Sequence, residues 1–280
     1  MTKVTIAYAL DQATRLIAVQ QPDSPRLDAQ LLLAACFGKP LSYLLTWPEK
    51  TLSDEANACF KQWVSRRVKG EPIAYILGHQ AFWSLDLKVT PDTLIPRPDT
   101  EAMVNYILEQ FGDSPMRVID LGTGSGAIAL ALAHERPNWQ VFANDLSYEA
   151  ITVARFNAGQ HSLPVNFFCG HWLEAVKVSS FDLIVSNPPY IAADDAHLTS
   201  LNYEPRSALI AQNQGLACYQ EIVVRLASVL KQNGWLFVEH GFQQGLAVRE
   251  IFKTVNLRHI STERDLAHHE RFTFGQYHHE

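Results

Sequence analysis

The stretch that decides the fold is "DLGTGSGAIALALA", residues 120–133. It continues the apolar segment "RVIDLG" (117–122), which predicts a strand, and it leads into an apolar helix. Gly122, Gly124 and Gly126 therefore lie in the turn between a strand and a helix. Glycine lets the backbone turn sharply and approach a ligand closely, and the N–H groups at the start of the helix are free to bind it. The stretch predicts a cofactor-binding turn.

A carboxylate extends this pattern. Asp145 ends the next predicted strand, "QVFAND", about 20 residues further on, where a carboxylate can accept hydrogen bonds from ribose hydroxyls. Gly122, Gly124 and Ala127 also satisfy G-x-G-x-x-A, a fingerprint of nicotinamide and flavin cofactors. The pattern therefore indicates an adenosine-containing cofactor without identifying it. The alternative is a glycine-rich turn that serves tight packing alone.

Strands and helices alternate from about residue 115 onward. The alternation predicts an α/β fold with a mostly parallel, doubly wound sheet and helices on both of its faces. In such a sheet, ligands bind at the carboxyl ends of the strands. Near the end of the chain the pattern predicts one helix, "GLACYQEIVVRLASVLKQNG" (215–234), followed by a strand, "WLFVEHG" (235–241).

The chain before residue 100 has a different pattern. Residues 1–75 predict a small helical bundle, because helical spacing of apolar residues is punctuated by Ser24 with Pro25, by Gly38 and by Ser53. Three predicted domains follow: the bundle, a β-hairpin linker over 76–98, and an α/β domain over 99–280.

Composition excludes several classes of protein. The 280 residues are 47% hydrophobic and carry a net charge of −6, which is typical of a globular protein and unlike the basic balance of most nucleic-acid binders. We find no signal peptide and no apolar run long enough to cross a membrane. The four cysteines form no C-x-x-C motif, so we expect reduced thiols and a cytoplasmic protein: Cys36, Cys59, Cys169 and Cys218.

The segment "SNPPYIA" (186–192) ends a predicted core strand, "FDLIV", in an unusual way. Two prolines cannot donate to a sheet ladder, and they fix the direction of the backbone. The Asn187 side-chain oxygen and the Pro188 carbonyl can accept the two N–H groups of an amide, and Tyr190 offers it a flat face. The segment therefore predicts a rigid cradle for a planar amine or amide. The alternative, a strand terminator followed by a turn, explains only the prolines.

At this point the sequence resembles a known family. An N-P-P-Y motif after a sheet strand is typical of methyltransferases that use S-adenosyl-L-methionine and methylate planar nitrogens. The whole chain resembles the release factor glutamine methyltransferases (HemK/PrmC), on these stretches in this order: "SPRLDAQLLL" (24–33), "GEPIAYILG" (70–78), "FWSLDLKVTPDTLIPRPDTE" (82–101), "DLGTGSGAIALALA" (120–133), "SNPPYI" (186–191), "EPRSALIA" (204–211) and "VEHGFQQG" (238–245).

The resemblance implies a class I, Rossmann-like methyltransferase domain. It implies methyl transfer to the side-chain N5 of the glutamine in the Gly-Gly-Gln motif of class-one peptide-chain release factors, which supports translation termination. S-adenosyl-L-homocysteine would be the product, and no metal would be needed. We expect the release factor as the protein partner, held in part by the helical domain. We expect no direct binding of nucleic acid or membrane, and a monomer.

The resemblance also implies roles for individual residues. The cofactor's methionine part would be wrapped by Gly122, Thr123, Gly124, Ser125 and Gly126. Asp145 would bind the ribose, and His171 and Trp172 would lie beside the adenine. Asn187 would lie between cofactor and substrate, and the glutamine amide would be bound by Asn187, Pro188, Pro189 and Tyr190. The catalytic set would be Asn187, Pro188 and Tyr190.

His171 departs from the family pattern, which usually has an acidic residue there. Neutral imidazole can accept a hydrogen bond, whereas the protonated ring cannot. If His171 contacts the adenine, cofactor affinity falls as the pH drops through about 6.5, where free imidazole takes up a proton. The alternative is a solvent-facing His171, with backbone groups binding the adenine.

Three other functions compete. An adenine or guanine N-methyltransferase would share the cradle, but the acidic balance disfavours it. A non-enzymatic adaptor would have no need of Gly122, Gly124, Asp145 and Asn187 together. A nicotinamide dehydrogenase would leave N-P-P-Y unexplained.

Overall fold

The computed structural model describes residues 4–21, 23–177 and 180–278. The chain divides into two compact units, Met1–Gly78 and His79–Glu280. The division falls within the segment predicted as a linker, and the hairpin belongs to the second unit.

The first unit is helical, as predicted. Ser53 caps its fourth helix by accepting the Ala56 N–H at 3.1 Å, and the second helix starts at Pro25 and ends at Gly38, which has a left-handed φ of 60°. Ile6, Leu32 and their neighbours are fully buried in one apolar core. The described helices are α1 (Ile6–Ala18), α2 (Pro25–Phe37), α3 (Leu41–Thr46), α4 (Asp54–Val68) and α5 (Ile73–Leu77).

Two cysteines of this unit are neighbours in space. Cys36 on α2 and Cys59 on α4 bring their Sγ atoms to 2.9 Å, although 23 residues separate them in the chain. In the described part of the chain, none of the four cysteines forms a disulfide. Burial raises the pKa of the Cys36 thiol, which disfavours its reactive thiolate.

The second unit contains a hairpin and a seven-stranded sheet in the order β5-β4-β3-β6-β7-β9-β8. Strands β3 to β7 pair in parallel, while β9 is antiparallel to both of its neighbours. The predicted mostly parallel α/β sheet is confirmed. The strands are β1 (His79–Phe82), β2 (Leu85–Lys88), β3 (Arg117–Leu121), β4 (Gln140–Asp145), β5 (Val165–Cys169), β6 (Phe181–Ser186), β7 (Leu230–Glu239), β8 (Leu257–Arg264) and β9 (Glu270–Tyr277).

Helices cover both faces of the sheet. Successive side chains of a strand point to opposite faces, so Val118 and Ile119 on β3 lie in two different apolar cores. The hairpin shares the core of α6, α7 and α8. The other core holds α10, α11 and α12. The helices of this unit are α6 (Pro98–Gln110), α7 (Ala127–Glu135), α8 (Tyr148–Gln160), the single turn α9 (Gln212–Gly215), α10 (Ala217–Val224), α11 (Leu226–Val229) and α12 (Gly245–Lys253).

The predicted helix over 215–234 is wrong at its end. Helix α11 stops at Val229, and β7 begins at Leu230, which pairs with Phe181. Leu230 is fully buried, so its apolar character fits a helix and a strand equally well. The chain then turns through Asn233, which has a positive φ of 63°, before the predicted strand. None of the helices that the structure describes is long and apolar enough to span a bilayer.

Candidate active site

The register of the sheet brings three chain segments together at one edge. Leu121 at the end of β3 pairs with Asn144 on β4 and with Ser186 on β6. The glycine loop follows β3, Asp145 ends β4 and Asn187 follows β6, and all three line a cavity of about 370 Å³. Parallel strands place their carboxyl ends at the same edge, so the predicted ligand site lies where the topology requires it.

The glycine loop is shaped for close approach. Gly122 has φ 69°, and a Cβ there would lie 3.3 Å from Cζ3 of the Trp172 ring. Asn144 holds the chain around that ring, because its Nδ2 donates to the Gly170 carbonyl at 3.2 Å and to the Trp172 carbonyl at 2.7 Å. The loop and the tryptophan therefore form one wall of the cavity.

Asp145 ties the loop to β4. One carboxylate oxygen accepts the Gly124 N–H at 2.9 Å, and the other accepts the Ser147 N–H at 2.9 Å. Burial raises the pKa of Asp145, while these backbone donors oppose the shift. An ionised Asp145 keeps lone pairs for further donors, as a ribose-binding carboxylate needs.

Asp120 is a site residue that the sequence reasoning missed. Its Oδ2 accepts the Thr123 hydroxyl at 2.6 Å and the Ala129 N–H at 3.3 Å, so it connects the glycine turn to the first turn of α7. Its Oδ1 is buried with no partner among the described residues. Burial raises the pKa of Asp120 to about 7. An acidic residue inside an otherwise apolar predicted strand was the available signal.

His171 and Trp172 meet a carboxylate from another element. Glu221 on α10 accepts the Trp172 indole N–H at 2.8 Å and lies 3.4 Å from Nε2 of His171. The same ring has Glu174 at 3.5 Å from Nδ1. All but Glu174 line the cavity. The sequence analysis assigned His171 and Trp172 to the cofactor site. It did not identify Glu221, which lies on a helix 49 residues from Trp172 and belongs to no recognisable motif.

Asn187 directly follows β6. Its Nδ2 donates to the Thr100 hydroxyl on α6 at 3.2 Å. Its Oδ1 is buried, and no atom of the described residues donates to it. A buried acceptor without a hydrogen bond destabilises the folded protein, and a ligand N–H or O–H group that donates to Oδ1 would remove this cost.

The other predicted residues divide between the cavity wall and its support. The wall includes Pro189 together with Thr123 and Ser125. Among the described residues, Gly126, Pro188 and Tyr190 are not part of it. Tyr190 packs against the α10 side of the sheet, and its carbonyl accepts the Gln244 Nε2 at 2.9 Å.

A buried carboxylate joins two segments of the cavity wall. Glu204 accepts the Ile95 N–H at 3.0 Å and forms an ion pair with the Arg97 guanidinium. Arg97 lines the cavity, as does Ser207, three residues beyond the carboxylate. Glu204 therefore clamps the segment after β6 to the segment before α6.

We expect Glu204→Ala to lower the free energy of unfolding by about 1–3 kcal/mol, the cost of leaving a buried donor unpaired. Urea unfolding of the full chain measures the change. Glu204→Gln is the matched comparison, because its amide oxygen can still accept the Ile95 N–H, while its NH₂ group replaces the oxygen that accepts from Arg97. Unfolding midpoints of Glu204→Ala and wild type that coincide would contradict the clamp.

The residues present fit an adenosine cofactor. The three glycines with positive φ open a backbone cradle, Asp145 offers acceptors beside it, and Trp172 closes one side. Within residues 4–21, 23–177 and 180–278, no group of three His, Cys, Asp or Glu side chains could hold a metal ion.

Family models match both parts of the chain. The model described as the PrmC N-terminal domain matches residues 8–78, and the methyltransferase small domain matches residues 99–203.

Curated relatives match over nearly the full length. The release factor glutamine methyltransferase of Vibrio cholerae is 48% identical over 278 residues, covering 98% of this chain and 97% of the relative. That of Pseudomonas aeruginosa is 50% identical over 263 residues, covering 92% and 95%. Among solved structures, a methyltransferase from Pyrococcus furiosus superposes with a TM-score of 0.55 at 17% identity, covering 77% of this chain and 98% of that one, a likeness in fold alone.

Proposed function

The chain belongs to the release factor glutamine methyltransferases, and from that membership we propose that it methylates the side-chain N5 of the glutamine in the Gly-Gly-Gln motif of class-one release factors. It is an S-adenosyl-L-methionine-dependent methyltransferase of the α/β class. S-adenosyl-L-homocysteine would be the second product.

The structural observation that supports the proposal is Asn187 Oδ1, which is buried and has no hydrogen-bond partner among the described residues. An amide nitrogen is a weak nucleophile, because its lone pair is delocalised into the carbonyl. An acceptor at one of its N–H groups holds the amide in place and stabilises the positive charge that develops on nitrogen as it is methylated. Asn187 Oδ1 supplies that acceptor. Pro188 itself is not part of the cavity wall, but it stands between the wall residues Asn187 and Pro189, and we assign the second acceptor to its carbonyl, whose direction the following proline restricts.

The remaining wall residues would hold the cofactor. Asp145 would accept from the ribose hydroxyls, and His171 with Trp172 would lie beside the adenine. The turn from Gly122 to Gly126 would contact the methionine part through Gly122, Thr123, Gly124 and Ser125, which line the cavity. When bound, S-adenosyl-L-methionine supplies an electrophilic methyl group. The protein's contribution is to align the amide nitrogen with that methyl and to exclude water from the pair.

No strong general base is assigned. The methylated amide nitrogen is acidic enough to give its proton to water afterwards, and Asn187 cannot take it, because a neutral carboxamide is a very weak base. Tyr190 is a poor candidate as well, since burial raises the pKa of its hydroxyl and keeps it protonated. Catalysis rests on positioning.

The helical unit, which ends at Gly78 rather than at the predicted residue 75, would help to hold the release factor. The hairpin of the predicted 76–98 linker packs in the core of the second unit, so we assign it to the catalytic domain. We further propose that the protein works as a monomer in the cytoplasm.

Radiolabel transfer tests the substrate class. The enzyme is incubated with methyl-labelled cofactor and with a class-one release factor, total RNA or duplex DNA in separate reactions. We expect label on the release factor alone, and none on a matched release factor whose Gly-Gly-Gln glutamine is replaced by alanine. Label on nucleic acid, or equal labelling of the alanine variant, would contradict the proposal.

A further inference from the structure

Glu239 is a buried carboxylate next to the reaction site that the mechanism above does not use. It ends β7, and Val238 before it pairs with Ser186, so Glu239 lies beside Asn187. Its side chain is 1% exposed, and its Oε2 has no hydrogen-bond partner in the part of the chain that the structure describes. Burying an ionisable group without a full set of hydrogen bonds lowers the stability of the protein, so packing alone does not explain a glutamate at this position.

We propose that Glu239 is a positioning residue that fixes the orientation of the Asn187 amide through Thr100, so that Asn187 Oδ1 stays available to the substrate N–H. The kinetic part of this inference rests on the proposed function.

The Thr100 hydroxyl has a single hydrogen to donate, whereas its oxygen can also accept. Burial raises the pKa of the Glu239 carboxyl group, and the nearby polar groups of Thr100 and Asn187 lower it. An ionised carboxylate only accepts hydrogen bonds, so in this proposal the Thr100 hydroxyl directs its hydrogen to Glu239. The Thr100 oxygen is then left as an acceptor, and the Asn187 Nδ2 donates to it at 3.2 Å.

These two contacts also determine where the oxygen of the Asn187 amide points. A 180° rotation of a carboxamide exchanges its oxygen with its NH₂ group and changes little else. Glu239 and the Thr100 oxygen both reject the amide oxygen and accept the NH₂ group. They therefore select the orientation in which Oδ1 faces away from them, and in this orientation Oδ1 has no partner among residues 4–21, 23–177 and 180–278.

The charged and titratable groups around Glu239 determine the pH range in which it is ionised and orients the Asn187 amide. Arg271 on β9 favours the ionised carboxylate, whereas Asp99 on α6 disfavours it, and Tyr190 and Tyr219 also face it. Burial outweighs the favourable contacts and raises the pKa of Glu239 to about 7. Below that pH the carboxyl group gains a hydrogen that it can donate, and the orientation of Asn187 is no longer dictated.

Glu239→Gln is the informative substitution, because it keeps the shape and removes the charge. The glutamine NH₂ can donate to the Thr100 oxygen, which frees the hydroxyl hydrogen to bind Asn187 Oδ1. We expect kcat to fall roughly 10- to 100-fold, the scale of a misplaced reacting group, with little change in the Kd for the cofactor. Thr100→Val should lose a similar amount, and Thr100→Ser, which keeps the hydroxyl, should recover most of it. Glu250→Gln, an exposed change on α12, is the charge-matched control and should leave kcat unchanged.

A readout without substrate separates this inference from the proposed function. In ¹⁵N-labelled protein, the Asn187 side-chain amide signal is identified by its loss in Asn187→Ala. We expect its shift to follow the titration of Glu239 near pH 7 in the wild type, and to lose that pH dependence in Glu239→Gln. The same pH profile in both proteins would overturn the positioning role, as would equal losses of kcat in Thr100→Ser and Thr100→Val. If the Asn187 signal of the wild type titrates in this way but the protein transfers no methyl group, the proposed function is contradicted and the positioning role of Glu239 is not.

Discussion

Replacing Asn187 by alanine is expected to lower kcat about 10²- to 10³-fold, the usual cost of removing one preorganised hydrogen-bonding group from the transition state. The reason is the free Oδ1, which is buried beside the cavity and has nothing to accept from among the described residues. Single-turnover methylation of release factor measures the chemical step. Cofactor affinity should change far less, because Asp145, the glycine loop and Trp172 stay in place.

Asn138→Ala is the matched control for this experiment. Asn138 is an exposed asparagine whose Nδ2 donates to Asp113, at the opposite end of the sheet from the cavity. We expect this variant to have wild-type kinetics. A near wild-type single-turnover rate in Asn187→Ala would remove the amide cradle from the mechanism.

Replacing Asp145 by asparagine is expected to weaken cofactor binding roughly 10- to 150-fold. The carboxylate accepts two backbone N–H groups, and hydrogen bonds to a charged group are worth about 1.5–3 kcal/mol. The amide keeps the size of the side chain but replaces one acceptor by a donor that faces an N–H group. Calorimetric titration with S-adenosyl-L-methionine measures the loss.

The same titration across pH adds a second criterion. Burial raises the pKa of Asp145, so the ionised form that accepts from ribose is lost on acidification at a higher pH than for a free aspartate. Wild-type affinity should therefore fall as the pH is lowered, and Asp145→Asn should lack this dependence. His171→Asp leaves Asp145 in place and should keep the fall in affinity that Asp145 causes. Asp113→Asn, an exposed change, is the control. Affinity in Asp145→Asn within twofold of wild type would contradict the assignment.

The sequence predicted the position of the site better than its details. Strand alternation and the motif spacing were enough to place Gly122, Asp145 and Asn187 at one sheet edge, because parallel register leaves few alternatives. Capping residues such as Ser53 and Gly38 predicted the helical bundle for the same local reasons.

Interactions between distant segments were not predictable. Glu204 meets Ile95 across 109 residues, and Glu221 meets Trp172 across 49, so no spacing rule reports them. Asp120 and Glu239 stand in apolar strands, where their burial depends on the helices packed above them. Leu230 suits both a helix and a strand, which is why the predicted helix ran too far.

Methylation of a release factor glutamine is tested most directly by mass spectrometry of a class-one release factor after incubation with enzyme and S-adenosyl-L-methionine. We expect a gain of one methyl group on the Gly-Gly-Gln glutamine, with fragment ions that place it on the side chain. An unmodified glutamine, or a methyl group on any other residue, would contradict the proposed function.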